Sequence, residues 1–264
     1  MAEENQKLWV SVLARGGYAA KGIVYFTIGV MSLLAAIGRG GDVIGSSDAL
    51  REIGSKPFGT LALLVIGMGL LAYSAYRLMC AIVDAGGEGT DGSGLAKRTG
   101  YFGSAVAYAS LGITALTGLS GSSEGEKEMT SGVLGMPGGA LVVGAVALAI
   151  IAAGIFQWVK ALHGSYQSNF TLDSFAARKR HWIERSAKFG LIARGIVFPV
   201  IGGFLLLAAI QSDASEAMGI GQALEKLQNQ AFGAIILGVT AAGLVCYAIY
   251  CWVLAIYGNL GRNV

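Results

Sequence analysis

Six stretches of this chain, at approximately residues 17–37, 59–83, 100–119, 138–162, 190–210 and 232–257, are apolar over a length that crosses a bilayer, and none contains an Asp or Glu. About 20 apolar residues suffice to span the hydrocarbon as a helix. In that solvent a helix satisfies every backbone polar group within its own segment, so six such runs predict an all-α polytopic membrane protein. Composition agrees, since 54% of residues are apolar and 13% charged, against roughly 25% charged in soluble domains.

The first run follows basic residues and by itself resembles a removable signal. Its pattern recurs twice further on. "ARGGYAAKGIVYFTIGVMSLLAA" from Ala14 aligns with "KRTGYFGSAVAYASLGITALTGL" from Lys97 and "AKFGLIARGIVFPVIGGFLLLAA" from Ala187. A basic residue (Arg15, Arg98, Lys188) precedes a glycine (Gly17, Gly100, Gly190) in each copy. Then come Tyr18, Tyr101 or Leu191; Gly22, Ala105 or Gly195; Tyr25, Tyr108 or Phe198; and Gly29, Gly112 or Gly202. Steps of three and four residues place these on one helical stripe. The even-numbered runs also correspond, with small residues at Gly69, Ala149 and Gly243 and aromatics at Tyr76, Phe156 and Tyr250. Repeat two diverges most, carrying Ala153 where the others have Tyr73 and Tyr247. A segment repeated in the interior is a structural span rather than a cleaved leader.

"ARGGYAAKGIVY", "ALREIGSKPFG" and "LLAYSAYRLMCAIVD" resemble the bacterial membrane family catalogued as domain of unknown function 1206, whose two-helix unit typically occurs three times per chain. The resemblance implies that fold and a multi-pass address in the bacterial inner membrane, and brings no activity, cofactor or site residue with it. The chain divides into repeat one (1–84), repeat two (95–166) and repeat three (184–258), with a basic linker at 167–183.

Fourteen of the nineteen Lys and Arg residues fall at the N-terminus, in the even-to-odd junctions, near the end of span two or at the C-terminus. The positive-inside bias therefore predicts cytoplasmic termini. Three two-span repeats share one orientation, which predicts pseudo-threefold symmetry about the membrane normal.

Chemistry is largely excluded. Ion-coupled transport and proton relays usually need a carboxylate at depth, and the runs have none. Cys80, Cys246 and Cys251 show no CxxC spacing and His163 and His181 no ligand spacing, so neither metal nor cofactor is expected. No nucleophile elbow or phosphate-cradle motif occurs, so the chain is not expected to be an enzyme. The net charge of +3 is too small and scattered for nucleic acid.

The remaining candidates are binding and packing residues. Arg15, Arg98 and Lys188 would form a headgroup- or anion-binding ring or serve as topology anchors, and Arg77 and Gln157 would contribute to an uneven polar ring completed by Cys251. Gly22, Gly29, Ala105, Gly112, Gly195 and Gly202 suit close helix packing. Lys21 and Arg194 are expected to snorkel toward headgroups. Tyr73, Tyr76, Tyr247 and Tyr250 would line a polar cavity or join an interfacial belt. Arg178, Lys179, Arg180 and Trp182 form a patch for anionic lipid on the cytoplasmic side, usable also by a protein partner. "SSDALREIGSKPFG" and "GIGQALEKLQNQAFG" read as short amphipathic helices on the membrane surface, the first N-capped by Asp48. The expected function is non-catalytic: binding of lipid or another apolar ligand, or scaffolding of a membrane partner. The alternative is a passive channel or facilitator along the threefold axis. An axis filled by Tyr, Leu and Ile favours the former.

Overall fold

A computed structural model describes residues 2–117, 123–169 and 177–258. The described residues are mostly helical, with no strand among them. Six long helices carry the six apolar runs: α1 (Ala2–Ala36), α3 (Gly59–Ile82), α4 (Gly92–Thr117), α6 (Gly139–His163), α7 (Ala177–Gln211) and α9 (Gly233–Tyr257). Short helices α2 (Ser46–Gly54), α5 (Ser123–Leu134) and α8 (Ile220–Gln228) lie in the odd-to-even connections. Five of the long helices, all but α4, are both long and apolar enough to cross a membrane. At about 1.5 Å per residue the 26 residues of α4 also have the length. Its apolarity is diluted by Ser104, Tyr108, Ser110 and Thr114.

Sequence places the odd starts at the edges of the apolar runs, yet α1, α4 and α7 begin well before them. Good helix formers such as the Lys and Arg of 177–188 extend α7 through part of the expected linker, while residues 170–176 of that linker lie outside the described residues. Each even helix opens on a left-handed residue: Phe58 at φ 63°, Gly138 at φ 79° and Phe232 at φ 60°. Glycine takes this conformation without strain, whereas the two phenylalanines are held in it by the turn.

Each even helix packs against the odd helix of the next repeat: α3 on α4, α6 on α7, and α9 on α1. Within repeats one and three the two spans also pack, α1 on α3 and α7 on α9. In repeat two α4 and α6 share no packed face. Among the described residues the six long helices thus form a ring with one open seam.

The exposed surface is apolar, with Leu61, Met68, Leu141, Leu148, Leu162 and Ile235 all turned outward, as expected where lipid is the solvent. The interior holds Ile28, Ile66, Leu70, Leu237 and Leu244 in one cluster with Leu50 and Leu224, all 2% exposed or less. Leu50 and Leu224 belong to α2 and α8. The apolar faces of these helices are therefore covered by the bundle rather than left for lipid, because protein offers closer packing than lipid. Their N-terminal ends meet where a Cβ on Gly221 would come within 2.6 Å of the Gly45 nitrogen. Asp48 is not the N-cap. It stands at the third helical position, and its carboxylate accepts the Gly45 N–H at 3.3 Å.

Candidate functional site

The small-residue stripe builds the interfaces between repeats. A Cβ at Gly29 would sit 2.7 Å from Val245 Cγ2 and 2.9 Å from the Ala241 carbonyl oxygen of α9. Gly202 repeats this against Ile151 and the Ala147 carbonyl of α6, and Gly112 against Leu71 and the Gly67 carbonyl of α3. Gly22 and Gly195 admit the rings of Trp252 and Trp158. Those indoles donate to the carbonyls of Ala19 and Ile192, at 3.2 and 3.1 Å. Ala105 takes the corresponding place at the third interface, where its carbonyl accepts the Ser74 hydroxyl at 2.7 Å. Backbones approach closely because no side chain intervenes.

The basic residue ahead of each stripe sits at a helix end. Arg15 donates to the carbonyls of Ala255 (3.1 Å) and Ile256 (2.7 Å), and Arg98 to those of Ala81 (2.9 Å) and Ile82 (2.8 Å). These are last-turn carbonyls of α9 and α3, which lack partners within their helices and carry the negative end of the dipole. Lys188 is exposed and makes no such bond among the described residues. The structure thus engages Arg15 and Arg98 separately, at two helix ends, rather than with one another.

The centre of the bundle holds residues that sequence assigned elsewhere. Lys21 is 2% exposed. Its ammonium does not snorkel. It lies 4.8 Å from the centre of the Tyr73 ring, 5.0 Å from Tyr108, 5.3 Å from Tyr247 and 5.9 Å from Tyr18, and donates to the Tyr73 hydroxyl at 3.3 Å. Arg77 shares the same tyrosines: Nε donates to the Tyr73 hydroxyl at 2.8 Å and one terminal nitrogen to the Tyr18 hydroxyl at 3.3 Å. Its guanidinium also rests on Tyr76 and Tyr101. Arg194 donates to the Tyr247 hydroxyl at 2.5 Å and stacks on Phe198 at 4.3 Å, Tyr247 at 4.8 Å and Tyr25 at 5.6 Å. Of the two residues read as a polar ring, Arg77 enters this cluster, whereas Gln157 is part-exposed outside it and Cys251 is buried as a thiol.

Three cations therefore converge on tyrosine faces and hydroxyls, and no carboxylate lies within the apolar runs to pair with them. Each cation–π contact contributes about 2 kcal/mol when desolvated, while removing an ion from water costs several kcal/mol. Tyrosines soften that cost without cancelling the charge. The Nε of Arg194 is buried and has no acceptor among the described residues. A buried donor of this kind is one whose hydrogen bond an ion or water can complete. Tyr73, Tyr76, Tyr247 and Tyr250 all face this interior rather than an interfacial belt.

Outside the bundle, the 84–91 loop is braced by acidic side chains. Asp84 accepts the N–H groups of Glu88 and Gly89, both at 2.8 Å, and these bonds hold its carboxyl below the usual range. Burial pushes Glu88 up, but hydrogen bonds from Lys97 at 2.6 Å and the Tyr101 hydroxyl at 2.5 Å outweigh it and leave its carboxyl low. Tyr101 thereby links this loop to Arg77. In the basic patch, Lys179 and Trp182 are exposed and Arg180 pairs with Glu184 at 2.9 Å. The Arg178 side chain lies outside the described residues. No group of His, Cys, Asp or Glu able to hold a metal occurs among the described residues.

The sequence model of the family described as Domain of Unknown Function (DUF1206) matches residues 16–84, 99–164 and 189–258. A relative from Bacillus subtilis (strain 168), described as "Uncharacterized protein YxxB", is 31% identical over 261 residues, which cover 98% of this chain and 94% of the relative. No solved structure matches.

Proposed function

This chain belongs to the family of domain of unknown function 1206, and from that membership and the buried cation centre we propose that it is a non-catalytic membrane protein that binds an anionic ligand inside its helix bundle. In this reading all six long helices span the bilayer, the three repeats are related by a pseudo-threefold axis, and both termini face the cytoplasm. Support for the symmetry comes from the matched interfaces at Gly29, Gly112 and Gly202, and support for the orientation from the distribution of Lys and Arg.

The observation that carries the proposal is the convergence of Lys21, Arg77 and Arg194 on shared tyrosines, with no carboxylate bonded to them and one guanidinium nitrogen lacking an acceptor among the described residues. An anion at this centre would offset the charge and accept the free N–H. Arg15 and Arg98, bound to helix ends, are proposed as structural anchors, and the exposed patch of Lys179, Arg180 and Trp182 as a contact for anionic headgroups. The channel alternative is less well supported, because the interior beyond the cations is filled by Ile28, Ile66, Leu70, Leu237 and Leu244, with α2 and α8 meeting at Gly45 and Gly221.

Calorimetric titration of the purified protein with glycerol phosphate, alongside anion flux in liposomes, tests the proposal. Saturable binding lost in Lys21→Gln/Arg194→Gln, without flux, is expected. Flux through the wild-type protein that these substitutions abolish would select the channel instead.

A further inference from the structure

Repeats one and three each close the seam between their two spans in the same way. A cation four residues after the glycine, Lys21 after Gly17 or Arg194 after Gly190, donates to a tyrosine of the even helix, Tyr73 or Tyr247. In repeat two both partners are small: Ser104 occupies the cation position and Ala153 the tyrosine position. The consequence is visible along the whole seam. A Cβ on Gly17 or Gly190 would collide with the backbone of Tyr73 or Tyr247, whereas one on Gly100 would meet nothing within 4 Å. Ala20 and Ala193 are buried, whereas their counterpart Gly103 stands exposed with nothing within 4 Å of an added Cβ. On α6, Val146, Ala153 and Phe156 are exposed, although Ile66, Tyr73 and Tyr76 are buried at the matching positions of α3.

One end of this seam carries a charge. Lys160, in the last turn of α6, stands where repeats one and three have the buried Cys80 and Leu254. Its part-buried ammonium has no hydrogen bond or ion pair among the described residues. A lysine in an otherwise apolar register, at the end of a span, is placed at headgroup depth.

We infer that the α4–α6 seam is a lateral berth for an anionic phospholipid, with one acyl chain along Gly100, Gly103, Ala149 and Ala153 and the phosphate held by Lys160 beside the Lys21–Arg77 centre. This rests on the anion-binding reading above and names its ligand. A seam walled by small residues fits a single acyl chain, which buries apolar surface at about 0.8 kcal/mol per methylene. The lone ammonium at its end complements a phosphodiester, and anionic lipid is concentrated in the cytoplasmic leaflet, where the proposed orientation puts the end of α6.

The test is native mass spectrometry of the full chain, purified in neutral detergent and supplied with equal dioleoylphosphatidylglycerol and dioleoylphosphatidylcholine, with a parallel titration of inorganic phosphate. The wild-type protein is expected to retain one phosphatidylglycerol with about tenfold preference. Ala153→Tyr/Lys160→Leu, which restores the residues of the other repeats, is expected to lower that retention about tenfold while leaving phosphate binding intact. Lys160→Leu alone, which keeps the seam open and changes one side chain near the helix end, is expected to remove the preference between the two lipids. Undiminished preference in either variant, with wild-type melting, would overturn the berth. So would a wild-type mass corresponding to a dimer without lipid, since a second copy would then cover the seam. If the wild-type protein binds neither phosphatidylglycerol nor phosphate, the anion-binding reading fails with it.

Discussion

Gly17, Gly100 and Gly190 occupy one position in three repeats, so replacing each by alanine is the same chemical change in three surroundings. At Gly17 the added Cβ would lie 2.6 Å from Tyr73 Cα and 2.9 Å from its nitrogen, and at Gly190 it would lie 2.6 Å from Tyr247 Cα and 2.9 Å from the Cys246 carbonyl carbon. These are backbone atoms, which relieve a clash only by moving a helix. The cost is that of an overpacked contact, typically about 1–3 kcal/mol. At Gly100 nothing lies within 4 Å, and exchanging glycine for alanine in a helix there gains about 0.5–1 kcal/mol. Because the gain from alanine is common to all three helical positions, Gly17→Ala and Gly190→Ala should each unfold about 1–3 kcal/mol more easily than Gly100→Ala. Equilibrium unfolding in mixed micelles, followed by far-UV circular dichroism, measures the difference. Three variants agreeing within about 0.5 kcal/mol would refute the open seam and the tight packing within the other two repeats together.

Three further outcomes are expected. Arg15→Gln and Arg98→Gln should each cost about 1 kcal/mol through lost bonds to helix-end carbonyls, while Lys188→Gln stays within about 0.5 kcal/mol; equal losses at all three sites would contradict the capping role. Because the Glu88 carboxyl is held below its usual value of 4.5, its bonds to Lys97 and Tyr101 should be fully present above that value and lost as pH falls through the lowered one. Hydrogen exchange of residues 83–94 as a function of pH reads this directly, and a loop that loosens on raising the pH from 5 would oppose it. Reporters inserted after Ser215 should lie outside the cytoplasm and those after Gly92 within it; the reverse at both sites would invert the orientation.

Hydropathy and internal duplication make the helical architecture legible in the sequence, because a bilayer admits few other solutions and each copy of the stripe repeats its packing residues. The glycines at 22, 29, 112, 195 and 202 could be read for the same reason. The centre was harder to see. Lys21 and Arg194 look like snorkelling lysine and arginine when each is judged by its depth alone. Their signal is a joint one: where a cation follows the repeat glycine, the even helix offers Tyr73 or Tyr247, and where Ser104 stands instead, it offers Ala153. Only the matched bonds from Lys21 and Arg194 show why these positions vary together. Ala153 reads in sequence as divergence, since a missing side chain has no periodicity, and its meaning as space depends on α4 and α6 standing apart. Likewise, the amphipathic pattern of α2 and α8 identifies an apolar face without saying whether lipid or protein covers it.

The most direct test of the central claim is a high-resolution structure of the protein in nanodiscs containing anionic lipid, inspected at the junction of Lys21, Arg77 and Arg194. The account predicts non-protein density about 3 Å from Arg194 Nε, bonded to at least one of the other two cations and continuous with the α4–α6 seam. Tyrosines closed around the three cations with no such density, or a continuous water-lined path through the position of Ile28 and Leu237, would contradict it.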